Sequence, residues 1–478
     1  MLFPTISFAI FFLIVLPISW LLMQRRFQWQ LFIIAASYFF YGYYDWRFCF
    51  LLAGSTIVNQ IVALQIYSSE RERTRRVWLT FGIVANLGAL SYFKYYGFLV
   101  SNATNTLARL GLPVSPGIVT AALPIGISFF TFQAMSYIID VYRRTFEPRG
   151  FFEFAVYLSF FPHVVSGPIV RAAEFLPQLR ERHDPRKVDS SRAFFLIFIG
   201  LFKKVVIANF LGTNIVDIVF ANPRQHSPLE VLVSVYAYAI QIYADFSGYT
   251  DMAIGLALLL GFRFPQNFDS PYAAESLQDF WRRWHMTLSR WLRDYLYIPL
   301  GGNRGKPWTV YRNLMITFLL GGLWHGASWT FVVWGGIHGT FLSYEHWRQQ
   351  RLKRHAHHRV PPDTAVRRGM RRFWTFQLVC FAWIFFRADS LKQAGQVISQ
   401  ICDVSKWGEA APLVTGGVIL AILAGLVEQY IPKDWWARAM SSFSRLAPVA
   451  MGLVLGVALL LINSMGPRGV APFIYFRF

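Results

Sequence analysis

His325 lies in the middle of an apolar stretch, residues 314–347, whose composition would allow it to enter a lipid bilayer. An ionisable side chain inside a membrane segment is energetically costly, so it indicates a functional site. Glycines crowd it in the run GGLWHGAS, where Trp324 and Trp329 would form rigid walls. Because an unperturbed imidazole has a pKa near ~6.5, it can accept and release a proton at neutral pH. We therefore predict that His325 is a general base; the alternative is a core histidine bonded to a backbone carbonyl.

Two other histidines are candidates for similar chemistry. His338 lies in the comparable run GGIHG and competes with His325 for the role of base. His285 lies in the segment 279–297, whose aromatic and aliphatic residues recur at helical spacing while the arginines lie off that face. This pattern predicts a basic amphipathic helix at a membrane interface, with His285 on the buried face. The predicted buried face consists of Trp281, Trp284, His285, Leu288, Trp291, Leu292 and Tyr295.

Charged side chains also occur at membrane depth. Asp245 and Asp251 lie in one apolar run and need partners, either basic side chains of a neighbouring segment or backbone donors at a helix break near Gly248. We favour a structural role for them, although Asp251 is also a candidate substrate-binding residue. Lys203 and Lys204 lie in another apolar run, and we expect both to snorkel towards the membrane surface.

A glycine-rich loop, IPLGGNRGKPW at residues 298–308, follows the amphipathic segment. It is not a nucleotide-binding phosphate loop, because the Walker spacing is one residue short and no Ser or Thr follows Lys306. It remains a basic loop that could contact an anionic donor or headgroup. The predicted substrate-binding residues are Trp324, Asn303, Arg304 and Asp251. The three cysteines have no metal-ligand spacing, and we predict no metal site.

The elements that must position these residues are membrane helices. The chain has 478 residues, of which 55% are hydrophobic and 18% aromatic, with a mean hydropathy of +0.38. Repeated apolar runs predict an all-α, multi-pass integral membrane protein with roughly 10–12 transmembrane helices. Pro162, Gly167 and Pro168 predict a broken or re-entrant segment at residues 151–171. We expect one membrane-embedded domain, 1–478, with additional interfacial helices.

The net charge of +21 indicates membrane orientation rather than nucleic-acid binding, because the basic residues cluster between apolar runs. Basic clusters at residues 25–26, 70–76 and 143–144 should therefore be cytoplasmic. The N-terminus is then expected outside, in the periplasm of a cell with a bacterial inner membrane. The apolar stretch 5–23 lacks a basic n-region and a small-residue cleavage site, so we expect a retained first span.

Six segments, in order along most of the chain, together resemble the membrane-bound O-acyltransferase (MBOAT) family. The resemblance is to its bacterial branch, which includes alginate O-acetyltransferase and the teichoic-acid D-alanylation membrane protein. The combination is specific, although no single segment is. The six segments are LPIGISFFTFQAMSYIIDVYR (123–143), FFPHVVSGPIVR (160–171), ADFSGYTDMAIG (244–255), FWRRWHMTLSRWLRDYLYIPLGGNR (280–304), GGLWHGASW (321–329) and FIYFRF (473–478).

The resemblance implies the MBOAT fold, with His325 as the membrane-embedded catalytic histidine and His285 as a second functional position. It implies an acyl donor on the cytoplasmic side, a thioester such as acetyl-CoA or an acylated carrier, and no permanently bound cofactor. The acceptor would be an exported polysaccharide, alginate- or cellulose-like, reached through a tunnel at the histidine. The implied partners are membrane lipids, a periplasmic serine-esterase-like acetyltransferase and a polysaccharide export complex, but no nucleic acid.

The residue chemistry is consistent with direct transfer. The sequence contains no GxSxG elbow and no HExxH motif, which weakens the case for a covalent enzyme intermediate. Attack of a hydroxyl on a thioester requires only a positioned base and a dry site, and such a base contributes typically ~10²–10⁴-fold. Two other functions stay open. An ion-coupled transporter or flippase would use the intramembrane charges, and a subunit of an envelope polysaccharide complex would have no chemistry of its own.

Overall fold

Helices form the regular structure of this chain. The computed structural model describes residues 1–112, 123–354, 363–465 and 473–474. Within these ranges no strand occurs, and several long apolar helices confirm the all-α, multi-pass prediction. The last four residues of the segment FIYFRF lie outside the described residues.

The chain divides into two units. Unit 1 comprises Met1–Asp189 and Leu256–Pro265, and unit 2 comprises Ser190–Gly255 and Gln266–Phe478. Our expectation of one domain stays a prediction. Every residue that we single out for catalysis or substrate binding lies in unit 2, so the arrangement of the site is set within that unit.

Unit 1 contains the first apolar helices of the chain. Its α-helices are Ile6–Leu22, Arg26–Gly42, Phe48–Ser68, Glu72–Leu90, Tyr96–Arg109, Ile127–Tyr142, Phe151–Ser159, Phe161–Val164 and Ala172–Phe175. The segment 151–171 is broken, as predicted. One helix ends at Ser159 and a new turn begins at Phe161, followed by Pro162, whose ring fixes φ and removes a backbone donor.

Unit 2 contains the remaining α-helices. They are Ser190–Leu201, Asn209–Leu211, Asp217–Ala221, Pro228–Leu259, Leu277–Arg283, Met286–Leu292, Pro307–His325, Trp329–Arg354, Ala365–Arg387, Leu391–Ile401, Gly416–Glu428, Lys433–Ser444 and Pro448–Met465. The first three form one helical run, Ser190–Ala221, because π-helical turns fill the gaps between them. The last residues of Pro228–Leu259 belong to unit 1.

Four helical stretches of the described residues are long and apolar enough to cross a membrane. They are Phe48–Ser68, Glu72–Arg109, Ser190–Ala221 and Pro228–Leu259. A fifth results if Gly416–Glu428 and Lys433–Ser444, which meet at 97°, form one broken span. Fewer helices meet this criterion than the roughly 10–12 spans that the apolar runs predict, because several helices are short, broken or lined with buried polar side chains.

The intramembrane charges are arranged differently from the sequence prediction. Lys203 and Lys204 are buried, so the prediction that they snorkel is wrong. Of the two alternatives for pairing the aspartates, the helix break near Gly248 is not observed, because the helix Pro228–Leu259 runs through it. A Cβ atom at Gly248 would lie only 2.6 Å from the carbonyl oxygen of Gly200, so the two helices pack backbone against backbone and enclose the lysines.

The buried lysines are instead paired with carboxylates, which is the first of the two alternatives that the sequence left open for the aspartates. Lys203 Nζ lies 3.1 Å from Asp251 Oδ2 and 2.7 Å from Glu428 Oε1. Lys204 pairs with Asp245. A buried charge is tolerated when a partner of opposite sign and further hydrogen bonds compensate its lost hydration. These pairs therefore account for all four charged residues that the sequence places at membrane depth.

Candidate active site

His325 is the last residue of the first helix of a helical hairpin, formed by Pro307–His325 and Trp329–Arg354. Gly322 lets the two helices approach closely, because a Cβ atom there would overlap the carbonyl group of Phe331. The helix ends at His325 because Gly326 adopts an extended backbone. The close approach of the two helices at Gly322 therefore fixes where the imidazole of His325 lies.

Aromatic rings surround His325, which is 3% exposed. Its ring centroid lies 4.9 Å from that of Trp324, 5.0 Å from Trp334 and 5.1 Å from Phe386. Trp329, which we expected to form a wall, is 54% exposed, and Trp334 on the second helix takes its place. The result is a dry, low-dielectric environment, in which a proton acceptor is shielded from competing water.

His285 occupies a break between two short helices. The predicted continuous amphipathic helix is wrong: Leu277–Arg283 ends before His285, and Met286–Leu292 begins after it. His285 has a left-handed backbone, with φ of 41°, and its side chain is fully buried. The prediction that this histidine faces the protein interior is therefore confirmed, although the helix that was expected to present it is interrupted.

Hydrogen bonds to Asn267 stabilise this break, and sequence reasoning did not identify Asn267 as a site residue. Its backbone oxygen accepts from Met286 N at 2.9 Å. Its side-chain Oδ1 accepts from Thr287 N at 3.2 Å and from Thr287 Oγ1 at 2.9 Å. His285 Nδ1 lies 3.1 Å from the same Oδ1. Since an amide oxygen only accepts, Nδ1 carries the proton and Nε2 holds the lone pair of the neutral imidazole.

Trp324 brings the two candidate catalytic histidines together. Its indole lies 4.9 Å from the ring of His325 and 6.1 Å from the ring of His285, measured between centroids. Both histidines and the indole are buried. Unit 2 therefore assembles three of the predicted site residues, His325, His285 and Trp324, into one cluster.

His338 has the opposite tautomer to His285. Trp281 Nε1 donates to His338 Nδ1 at 3.2 Å, and an indole nitrogen can only donate. The lone pair of the neutral imidazole is therefore occupied, and the proton is on Nε2. Trp334 lies between His338 and His325, at centroid distances of 4.7 Å and 5.0 Å. This geometry favours His325 over His338 as the base.

A cavity of about 540 Å³ opens beside these aromatic rings in unit 2. Three arginines, Arg282, Arg290 and Arg293, outnumber the one lining carboxylate, Glu345, and Trp281 contributes an apolar wall. Asn303 also lines the cavity, where its Oδ1 accepts from Tyr297 Oη at 2.6 Å. A cavity of this size is typical of small-molecule and cofactor sites. Among the described residues, no three His, Cys, Asp or Glu side chains are grouped so as to hold a metal ion.

Two predicted substrate-binding residues lie away from this cluster. Arg304 is exposed on the loop after the cavity-lining Asn303, and it does not line the cavity. Asp251 is engaged by Lys203. Their predicted contribution to substrate binding stays a prediction, whereas Asn303 lies at a cavity wall and Trp324 lies between the histidines.

Known proteins are similar in sequence to most of this chain. The profile of MBOAT, the membrane-bound O-acyltransferase family, matches residues 33–367. A probable alginate O-acetylase of Azotobacter vinelandii is 42% identical, over 79% of this chain and 73% of that protein. A probable alginate O-acetylase of Pseudomonas putida is 36% identical over 99% of both chains.

A peptidoglycan O-acetyltransferase of Helicobacter pylori is 37% identical, over 79% of this chain and 76% of that protein. These relatives therefore differ in the polymer that their names specify but agree in the type of reaction. The profile match covers more than half of the chain and includes His285 and His325. The chain accordingly belongs to the membrane-bound O-acyltransferase family and is an integral membrane O-acyltransferase.

Proposed function

We propose that this protein transfers an acyl group, in the simplest case acetyl, from a cytoplasmic thioester towards hydroxyl groups of an exported polysaccharide. The observation that carries the proposal is the buried pair His285 and His325, which meet across Trp324. Relatives named alginate O-acetylases support an alginate-like polymer, and a cellulose-like polymer presents the same kind of hydroxyl acceptor.

In the proposed reaction the acceptor hydroxyl oxygen attacks the carbonyl carbon of the thioester. A C–O bond forms and the C–S bond breaks, while the hydroxyl proton passes to His325 and from there to the departing thiolate. The rings around His325 exclude water and so limit wasteful hydrolysis of the donor. Asn267 holds the proton of His285 on Nδ1, so Nε2 accepts a hydrogen bond from a second hydroxyl group of the sugar and orients the acceptor.

We assign the anionic part of the donor to the arginine-lined cavity. Acetyl-CoA and an acylated carrier both bear phosphate next to a long thioester arm, and guanidinium groups bind phosphate through two parallel hydrogen bonds. Between ring centroids, the wall residue Trp281 lies 5.7 Å from Trp334, and Trp334 lies 5.0 Å from His325. The rings of Trp281 and Trp334 therefore separate a donor held in the cavity from the base His325.

The proposed setting is the bacterial inner membrane, with the N-terminus in the periplasm. The support for this orientation is the placement of arginines after the first, third and fifth apolar runs. The acyl group would then leave the protein on the periplasmic side. There a serine-esterase-like acetyltransferase and a polysaccharide export complex would complete the modification.

The test is a thioester-cleavage assay on the purified protein, with several acyl donors and candidate acceptor oligosaccharides. The proposal expects thiol release that depends on the acceptor and on His325. Thiol release from an acylated carrier but not from acetyl-CoA would reassign the donor. Ester formation at the wild-type rate by His325→Gln would refute the assignment of the base.

A further inference from the structure

The C-terminal residues Phe473 and Ile474 are buried in unit 2. The backbone amide of Ile474 donates to Asp245 Oδ2 at 2.8 Å. Asp245 is paired in turn with Lys204, and both of these side chains are buried. A hydrogen bond to an ionised carboxylate is roughly twice as strong as a neutral one. The ion pair therefore anchors residues 473–474 at one point on the helix Pro228–Leu259.

Aromatic contacts extend from this anchor to the candidate active site. The ring of Phe473 lies 4.7 Å from Tyr249 and 5.5 Å from Phe246, measured between centroids. Phe246 meets the imidazole of His285 edge-on at 4.7 Å. His285 is thus in contact with Phe246 as well as with Trp324, and the position of Phe246 depends on what packs against it.

We propose that residues 473–474 form part of the active site by fixing Phe246 against His285. Lys204, Asp245 and Phe473 then act as positioning residues. A buried ion pair is often no more stabilising than apolar residues of the same size, so what this pair contributes is the defined position of a hydrogen-bond acceptor. The inference rests on the proposed function for its catalytic consequence, and on packing alone for the anchor itself.

Two double variants isolate the hydrogen bond to Ile474. Lys204→Gln/Asp245→Asn keeps an amide oxygen at position 245, whereas Lys204→Gln/Asp245→Leu removes it; both are neutral and similar in volume. Relative to the Asn variant, the Leu variant should lose about 10- to 100-fold in kcat of thioester cleavage, because a small misplacement of a catalytic group is costly. The KM for the donor should not change. Equal kcat values for the two variants would overturn the proposal.

A second pair of variants decides the question if the double variants fail to insert. Phe473→Tyr keeps the ring and should restore the kcat that Phe473→Ala loses, while Val457→Ala, at an exposed position, serves as the control. Diethyl pyrocarbonate modification of His285, mapped by mass spectrometry, reads the packing without any transfer. Phe473→Ala should speed this modification and Phe473→Tyr should not; an unchanged rate in Phe473→Ala would refute the anchor. A wild-type protein without thioester cleavage would instead refute the proposed function, and the modification rates would still test the anchor.

Discussion

Replacement of His325 by alanine tests the proposed base directly. The imidazole is buried against Trp324, Trp334 and Phe386 at centroid distances of 4.9 Å, 5.0 Å and 5.1 Å. Loss of a general base should lower the transfer rate ~10²–10⁴-fold, which equals about 3–5 kcal/mol of activation free energy. The vacated space also costs folding free energy, about 2–4 kcal/mol for a buried side chain of this size. His325→Gln fills more of that space and is therefore the matched variant.

The assay is the ester content of the exported polymer in a deletion strain complemented with each variant, with membrane levels checked by immunoblot. Both His325 variants should abolish ester formation while the protein remains in the membrane. His338→Ala leaves a similar buried space, costs about 1–3 kcal/mol more because the Trp281 indole loses its acceptor, and should still affect transfer much less. Full ester content with His325→Ala would reject the mechanism. Loss with His338→Ala alone would show that the other histidine is the base.

Further predictions concern the second histidine, the donor, the buried charges and the topology. His285→Ala should impair transfer with little loss of folded protein in a reconstituted assay, whereas near-wild-type activity of His285→Gln would identify a packing histidine. Arg282→Glu should raise the KM for acetyl-CoA more than the KM for a short uncharged thioester, and equal increases would contradict the donor assignment. Lys203→Met leaves the half-buried carboxylates of Asp251 and Glu428 uncompensated and should lower the free energy of unfolding by about 1–3 kcal/mol, visible as a lower melting temperature in detergent; an unchanged melting temperature would argue against the pair. Lys353→Cys, in a chain without its native cysteines, should resist labelling from the periplasm of intact cells, and labelling there would overturn the topology.

The alternative of an ion-coupled transporter rested on charged residues at membrane depth and on broken helices. The break in residues 151–171 is present, but the charged residues are paired. Lys203 forms ion pairs with both Asp251 and Glu428, and helix Pro228–Leu259 is continuous through Gly248. A site built to bind and release ions would instead present such groups to a water-filled path. The charges are better explained as fixed elements of the packing between two helices.

Local sequence was sufficient for the features that depend on composition and on neighbouring residues. The apolar runs determined a helical membrane protein, because only helices and closed barrels satisfy the backbone in lipid. Periodicity indicated that His285 is buried, although the continuous helix that this argument assumed is interrupted there, and Pro162 indicated the break in residues 151–171. The isolated histidine in an apolar, glycine-rich run was sufficient to mark His325 as a candidate.

Tertiary structure alone decided how these parts meet. His285 and His325 converge because the end of one hairpin helix packs beside a helix break. That break depends on hydrogen bonds that Asn267, a residue outside both helices, accepts from the chain around it. The burial of Lys203 and Lys204 depends equally on the approach of a second helix at Gly248. Contacts of this kind join residues far apart in the chain, and local propensity and periodicity carry no information about which distant surface a side chain will meet.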